Sequence, residues 1–272
     1  MEILGVDFSG AKSDHNTWLA QGSLDEQGLT IRQCSPVSRG ELVRRLSALT
    51  RPAVASLDFP FSVPLDFAHY WCPDAQTMPE LWAAAAMMEL EQFVALRDAF
   101  VARWGEPKRQ CDRYPAYSCL HKVNPNMVPM TFYGMQMLAR LWPAGYTVPP
   151  LESPAGAHVT LLEAMPGATL KALGLRCKGY KNGARAEQLR KEILDGLADR
   201  ASVPIKNLEE FRGQCLGSHD CLDALVSAVN ACLWARDRAV FQVPSDPGSD
   251  SFDPKVLMEG WLYAPTLLQS VA

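Results

Sequence analysis

The chain is short of several things. It has eight cysteines, at 34, 72, 111, 119, 177, 215, 221 and 232, yet no two of them form a CxxC pair. That spacing excludes the common structural zinc sites, and in a chain of 272 residues it argues against a disulfide framework. Most of the thiols are expected to be reduced and buried as small hydrophobes. No apolar run approaches the roughly 18 residues that span a bilayer. The N-terminus shows no basic region followed by a small-residue cleavage site. A cytoplasmic location without a membrane partner is the expectation. An excess of positive charge is missing too, since 26 basic residues face 30 acidic ones for a net charge of −4. Constitutive binding along nucleic acid is thereby disfavoured. A nuclease is not, because acidic metal ligands lower the total while a local basic stretch can hold phosphate.

What is present reads as an α/β chain. Residues 3–34 give three strands, ILGVDF, NTWLAQGSL and GLTIRQCS, with DEQG turning between the last two. Ser38, with Glu41 three residues on, signals a helix start, and Leu42, Val43, Leu46 and Leu49 keep helical spacing. PAVASLDFPFSVP is a fourth strand, stopped by Pro60 and Pro64. Residues 65–150, rich in Trp, Met and Pro, read as a helical insertion with one helix from about Pro79 to Arg103. Its Met and aromatic positions are expected in the core. Strand character returns in AHVTLLEAMP. A short helix (ATLKALG), a basic loop, a helix near 184–200 and a strong final helix in SHDCLDALVSAVNACLWARDRA follow.

Carboxylates recur at the ends of these elements. Asp7, Asp58 and Glu163 each end a strand, and the final helix begins with Asp220 and Asp223, three apart and so on one face. Turn chemistry explains any one strand-end Asp, and helix capping explains Asp220. Neither explains the set. Two carboxylates about 4 Å apart repel by on the order of 4 kcal/mol at an effective dielectric near 20. Hard cations relieve that cost, and oxygen-only ligands suit Mg²⁺ or Mn²⁺. A pair of such ions supports phosphodiester hydrolysis. His219 is either an acid/base group or an ordinary helix-start residue. Between Lys171 and Lys191 seven basic residues stand against one acid, Glu187. Lys178, Lys181 and Arg185 are the candidates there for phosphate contact, with a solvated surface as the alternative.

The order of elements, with acids on the first strand, the fourth strand and the last helix, resembles the RNase H-like fold, and DCLDALVSA resembles the terminal helix of RuvC-type resolvases. More closely, the chain resembles domain-of-unknown-function family 429, a family of predicted nucleases with that fold. The matching stretches are GVDFSGAK, SLDFPFSVP, NPNMVPM, LLEAMPGATL, GYK, SHDCLDALVSA and EGWLYAP, spread from residue 5 to 265. The resemblance implies a single RNase H-like domain over 1–272, with a mixed five-stranded sheet and a helical insertion at about 65–150. It also implies a metal-dependent nuclease acting on DNA or RNA by a two-metal mechanism with Mg²⁺ or Mn²⁺. Asp7, Asp220 and Asp223 would be metal ligands, and Glu163 a further one. Asp58 would join them as a catalytic carboxylate, and which of Asp58 and Glu163 stands beside Asp7 is left open. DFSGAK also fits the phosphate loop of the actin/hexokinase-like branch of the fold, where Lys12 would contact phosphate. A non-catalytic RNase H-like binding protein is the remaining alternative.

Overall fold

The computed structural model describes residues 1–11, 14–112, 117–200, 203–245 and 249–266. Lys12 therefore lies outside the described residues. The strands are β1 (Glu2–Asp7), β2 (Thr17–Asp25), β3 (Gly28–Val37), β4 (Ala53–Asp58) and β5 (Val159–Glu163). They form one sheet in the order β3-β2-β1-β4-β5. β1 pairs antiparallel with β2, and β2 with β3, while β1–β4 and β4–β5 are parallel. This is the mixed five-stranded α/β architecture expected from the sequence.

Helix α1 (Arg39–Ser47) links β3 to β4. Ser38 caps it by accepting from the Glu41 N–H, but the Glu41 carboxylate turns to Arg44 and Arg45 instead of back to the cap. Between β4 and β5 lie α2 (Leu65–Trp71), α3 (Met78–Ala86), α4 (Leu90–Trp104) and α5 (Met127–Leu141). The single helix expected over 79–103 is thus two. The chain closes α3 at Met87 and restarts at Glu89, whose side chain and that of Gln92 form a reciprocal cap. After β5 come α6 (Pro166–Ala172), α7 (Ala186–Arg200), α8 (Leu208–Gly217), α9 (His219–Arg236) and the short α10 (Val256–Glu259).

The alternation of each strand sorts its side chains between two cores. Leu4, Val6, Ala55, Leu57 and Leu161 pack with α1 and the helices of 65–150. Ile3, Val54 and Leu162 pack with α6–α9. Of the insertion's aromatic and Met positions, Phe67, Trp82, Phe93, Phe132 and Met135 are buried as expected, whereas Tyr70, Met87, Trp104 and Tyr117 are exposed. All eight cysteines are free thiols. No helix among the described residues is long and apolar enough to cross a membrane.

Helix α9 lies almost directly on β1. A Cβ built at Gly5 would sit 2.0 Å from the Ala228 nitrogen and 2.2 Å from the Ala224 carbonyl oxygen. Only glycine permits that approach. Beside it, Asn230 of α9 donates to the Ser56 hydroxyl at 3.2 Å and accepts from Thr169 at 3.1 Å, fixing the helix's rotation over β4.

Candidate acidic site

Gly5 faces α9, so Asp7, two residues on, shares that face at the strand's end. Asp58 is the register partner of Asp7 on the neighbouring parallel strand, one strand spacing or about 4.8 Å away along the sheet. Asp223 precedes Ala224, whose carbonyl oxygen touches Gly5, and is fully buried. Strand parity and one close helix approach thereby bring Asp7, Asp58 and Asp223 to a single corner.

Tyr180 and Lys181 reach that corner from the loop between α6 and α7. The Tyr180 hydroxyl donates to Asp223 Oδ1 at 2.7 Å, and Lys181 Nζ lies 2.6 Å from Oδ2. Lys181 is half-exposed, with 49% of its side chain accessible. Its contact with Oδ2 is one of charge more than of direction, since this buried oxygen accepts no aligned hydrogen bond. Gly179 and Gly183 flank the pair at φ +80° and +103°, conformations that glycine adopts readily.

The electrostatics record the crowding. Burial raises the Asp7 carboxyl well above its ordinary range, and Asp223 and Asp58 raise it further, with Lys181 opposing and Asp220 adding a smaller push. Asp58 is pushed up to about 7 by burial, with Lys181 pulling it down and Asp223 and Glu163 pushing it up. Burial lowers the Lys181 ammonium, but the attraction of Asp223, Asp58 and Asp7 outweighs it and the net shift is upward.

Asp220 stands one turn before Asp223 at the rim, its Oδ1 2.7 Å from Nδ1 of His219. Glu163 goes elsewhere. Its register partner is Leu57, not Asp58, so it projects to the opposite face. There Arg109 grips both its oxygens, at 2.6 and 2.8 Å, and the Phe61 N–H donates to Oε2 at 2.8 Å. Arg109 also holds Asp112 and the Glu259 carbonyl. This buried network ties the chain after α4 to the end of β5.

Six of the seven basic residues of the stretch are exposed, and several of them are engaged by acids. Arg190 is buried and donates to the carbonyls of Leu216 and Tyr180, Arg176 faces Glu192, and Lys191 pairs with Asp195. Lys178 and Arg185 are exposed, and Lys181 turns into the acidic corner. Sequence reasoning gave no role to Tyr180 or Arg109. The Tyr–Lys pair was visible as the GYK stretch, whereas nothing local in the sequence marks Arg109.

Oxygen-only carboxylates, one with a buried oxygen lacking a hydrogen bond, are the donor chemistry of a hard divalent cation. Among the described residues, no three acidic, His or Cys side chains converge closely enough to hold a metal as they stand. The ammonium of Lys181 meets the charge instead. The donor atoms suit a cation in kind, but the carboxylates are not spaced to enclose one as they stand, and Lys181 Nζ sits on Asp223 Oδ2.

Residues 135–248 match the family model described as protein of unknown function (DUF429). That span contains Glu163, Tyr180, Lys181, Asp220 and Asp223; Asp7 and Asp58 precede it. No curated protein and no solved structure matches the chain.

Proposed function

We propose that this chain, which carries a DUF429 region, is a hydrolase of nucleic-acid phosphodiester bonds that works with Mg²⁺ or Mn²⁺ held by Asp7, Asp58 and Asp223. One observation carries the reading: three carboxylates, from two adjacent strand ends and one helix, gather at one corner where Lys181 pairs with Asp223. Three crowded acids, two of them held above their ordinary range, are the electrostatic pattern common at functional sites.

When bound, such a cation supplies a nucleophile at neutral pH and neutralises charge on the phosphate. The chain's own residues do the rest. Tyr180 holds Oδ1 of Asp223 and leaves Oδ2 for the cation. Asp7 and Asp58, on rigid strands, complete the oxygen set. Lys181, once off Asp223, stays at the corner as a cation for the phosphate. Three carboxylates suffice for one ion, and a second would call on Asp220.

The Lys181–Asp223 contact favours a second reading, a non-catalytic binding protein whose site is closed by its own lysine. Thermal melts separate the two. Under the proposal, millimolar Mn²⁺ raises the melting temperature of wild type by mass action, and Asp223→Asn loses most of that rise. A wild type that melts identically in chelator and in Mn²⁺ supports the binding-protein reading and removes the nuclease one.

A further inference from the structure

A second polar site opens between α1 and α5, a cleft of about 340 Å³ lined by Asp14, Arg39, Gly40, Tyr133, Gln136 and Arg140, among others. Arg39 is built into it. Its guanidinium lies 4.2 Å from the Tyr133 ring centroid, and its Nη1 donates to the carbonyls of Ser9 and Ala11 at 3.2 and 3.0 Å. Asp14 accepts from the Arg39 N–H at 2.8 Å and lies 3.3 Å from Nε. The side chain of Arg140, exposed on the other wall, has no ion pair or hydrogen bond among the described residues. Among the described residues the cleft therefore holds two guanidinium groups against one carboxylate.

Its place in the fold matters as much as its charge. β3 runs parallel to β1, because each is antiparallel to β2. Val37, the last residue of β3, pairs with Thr17, and Asp7 with Trp18. Arg39 thus stands at the same end of the strands as Asp7, two strand spacings or roughly 10 Å along the sheet, but on the α1–α5 side, so a strand bound at both places would pass over the strand ends from the α9 face. The carbonyls that Arg39 holds belong to the loop leaving Asp7.

We infer that this cleft is a phosphate subsite, in which Arg140 and Arg39 take a backbone phosphate of the strand whose scissile bond lies at Asp7, Asp58 and Asp223. The inference rests on the hydrolase reading for its substrate. The shared chemistry is a phosphate oxyanion, for which paired guanidinium groups are the preferred partners. A free phosphate or pyrophosphate meets the same groups. Arg140 supplies the unneutralised charge, and Arg39, already fixed by two carbonyls and a ring, supplies orientation at little entropic cost.

The test is fluorescence anisotropy of a labelled single-stranded oligonucleotide in chelator at several salt concentrations, with pyrophosphate as competitor. Arg140→Ala removes an exposed side chain and leaves the acidic corner intact. It should weaken oligonucleotide binding roughly fivefold to tenfold and reduce the slope of log K against log salt by about 0.7, one phosphate contact. Arg140→Lys should restore the slope but not the full affinity. Direct pyrophosphate binding, measured by calorimetry, that disappears in Arg140→Ala, with no Arg140 effect on the oligonucleotide, assigns the cleft to free phosphate and overturns the nucleic-acid source. Equal affinity, slope and competition in wild type and Arg140→Ala overturn the subsite. The Mn²⁺ melting shift reports the acidic corner alone. If it is absent while Arg140-dependent binding persists, the hydrolase reading fails and the anion site stands.

Discussion

Lys181 Nζ rests 2.6 Å from Oδ2 of Asp223, a fully buried carboxylate whose other oxygen is held by Tyr180. The same ammonium opposes the rise of the Asp7 and Asp58 carboxyls, which remain raised. Under the proposed function it stands where the cation would bind.

Lysine and metal should therefore compete. In chelator, Lys181→Ala leaves the three acids unneutralised and should cost about 1–2 kcal/mol, less than the 3–5 of a fully buried pair because Lys181 is half-exposed. In Mn²⁺ the variant should gain more stability than wild type, and calorimetric titration should show tighter Mn²⁺ binding. Equal Mn²⁺ affinity in the two proteins would mean that Lys181 does not occupy the cation's place.

The pH dependence follows from the raised carboxyls. Asp7 and Asp58 bind their protons more tightly folded than unfolded, so their contribution is fully present below about pH 4 and is lost as pH rises through the folded values, about 7 for Asp58. The acids lowered by surface partners, such as Asp25, Glu41 and Asp195, act the other way, but only as pH falls below the ordinary carboxylate range. Between pH 5 and 8 the melting temperature in chelator should fall as pH rises. Asp58→Asn should flatten that slope, and Mn²⁺ should flatten or reverse it. A melting temperature in chelator that climbs over this window would contradict the crowded-acid picture.

Gly5 is where the corner is assembled. Gly5→Ala places a methyl group inside the backbone of α9 and should cost about 3 kcal/mol or more, at the upper end of overpacking penalties. Chemical denaturation measures it; a loss under about 1 kcal/mol would show that α9 is not seated as described.

Much of this was legible in the sequence, and the rest failed for identifiable reasons. The four early strands, their terminal Asp residues and the apolar stripe of α9 are local patterns of period 2 and 3.6, and the sheet follows from them. Which face each acid takes depends on register. Asp7 pairs with Asp58, while Glu163 pairs with Leu57, and that one-residue offset sends Glu163 to the opposite side of the sheet. No periodicity within a five-residue strand reveals it. Arg109 was silent for a similar reason: its partners Glu163 and Glu259 lie 54 and 150 residues away. Lys181 was read by its charge as a phosphate contact. Its pairing with Asp223 depends on how the loop between α6 and α7 folds back, which composition does not encode.

The two faces make separable predictions. Arg109→Ala should cost about 3–5 kcal/mol by leaving Glu163 and Asp112 buried without their cation. Glu163→Gln should destabilise in the same assay yet retain the Mn²⁺ melting shift. A folded Glu163→Gln protein that has lost the shift would return Glu163 to the metal site.

The most direct measurement is cleavage itself. Wild type, Asp7→Asn and Asp223→Asn, purified in parallel, are incubated with end-labelled single- and double-stranded DNA and RNA in Mn²⁺, Mg²⁺ or chelator, and the products are resolved by length. The account predicts metal-dependent cleavage of at least one substrate by wild type, leaving 5′-phosphate ends, and a fall of at least about a hundredfold in both variants. Cleavage at equal rates in wild type and Asp7→Asn, or none by wild type on any of the four substrates, would contradict it.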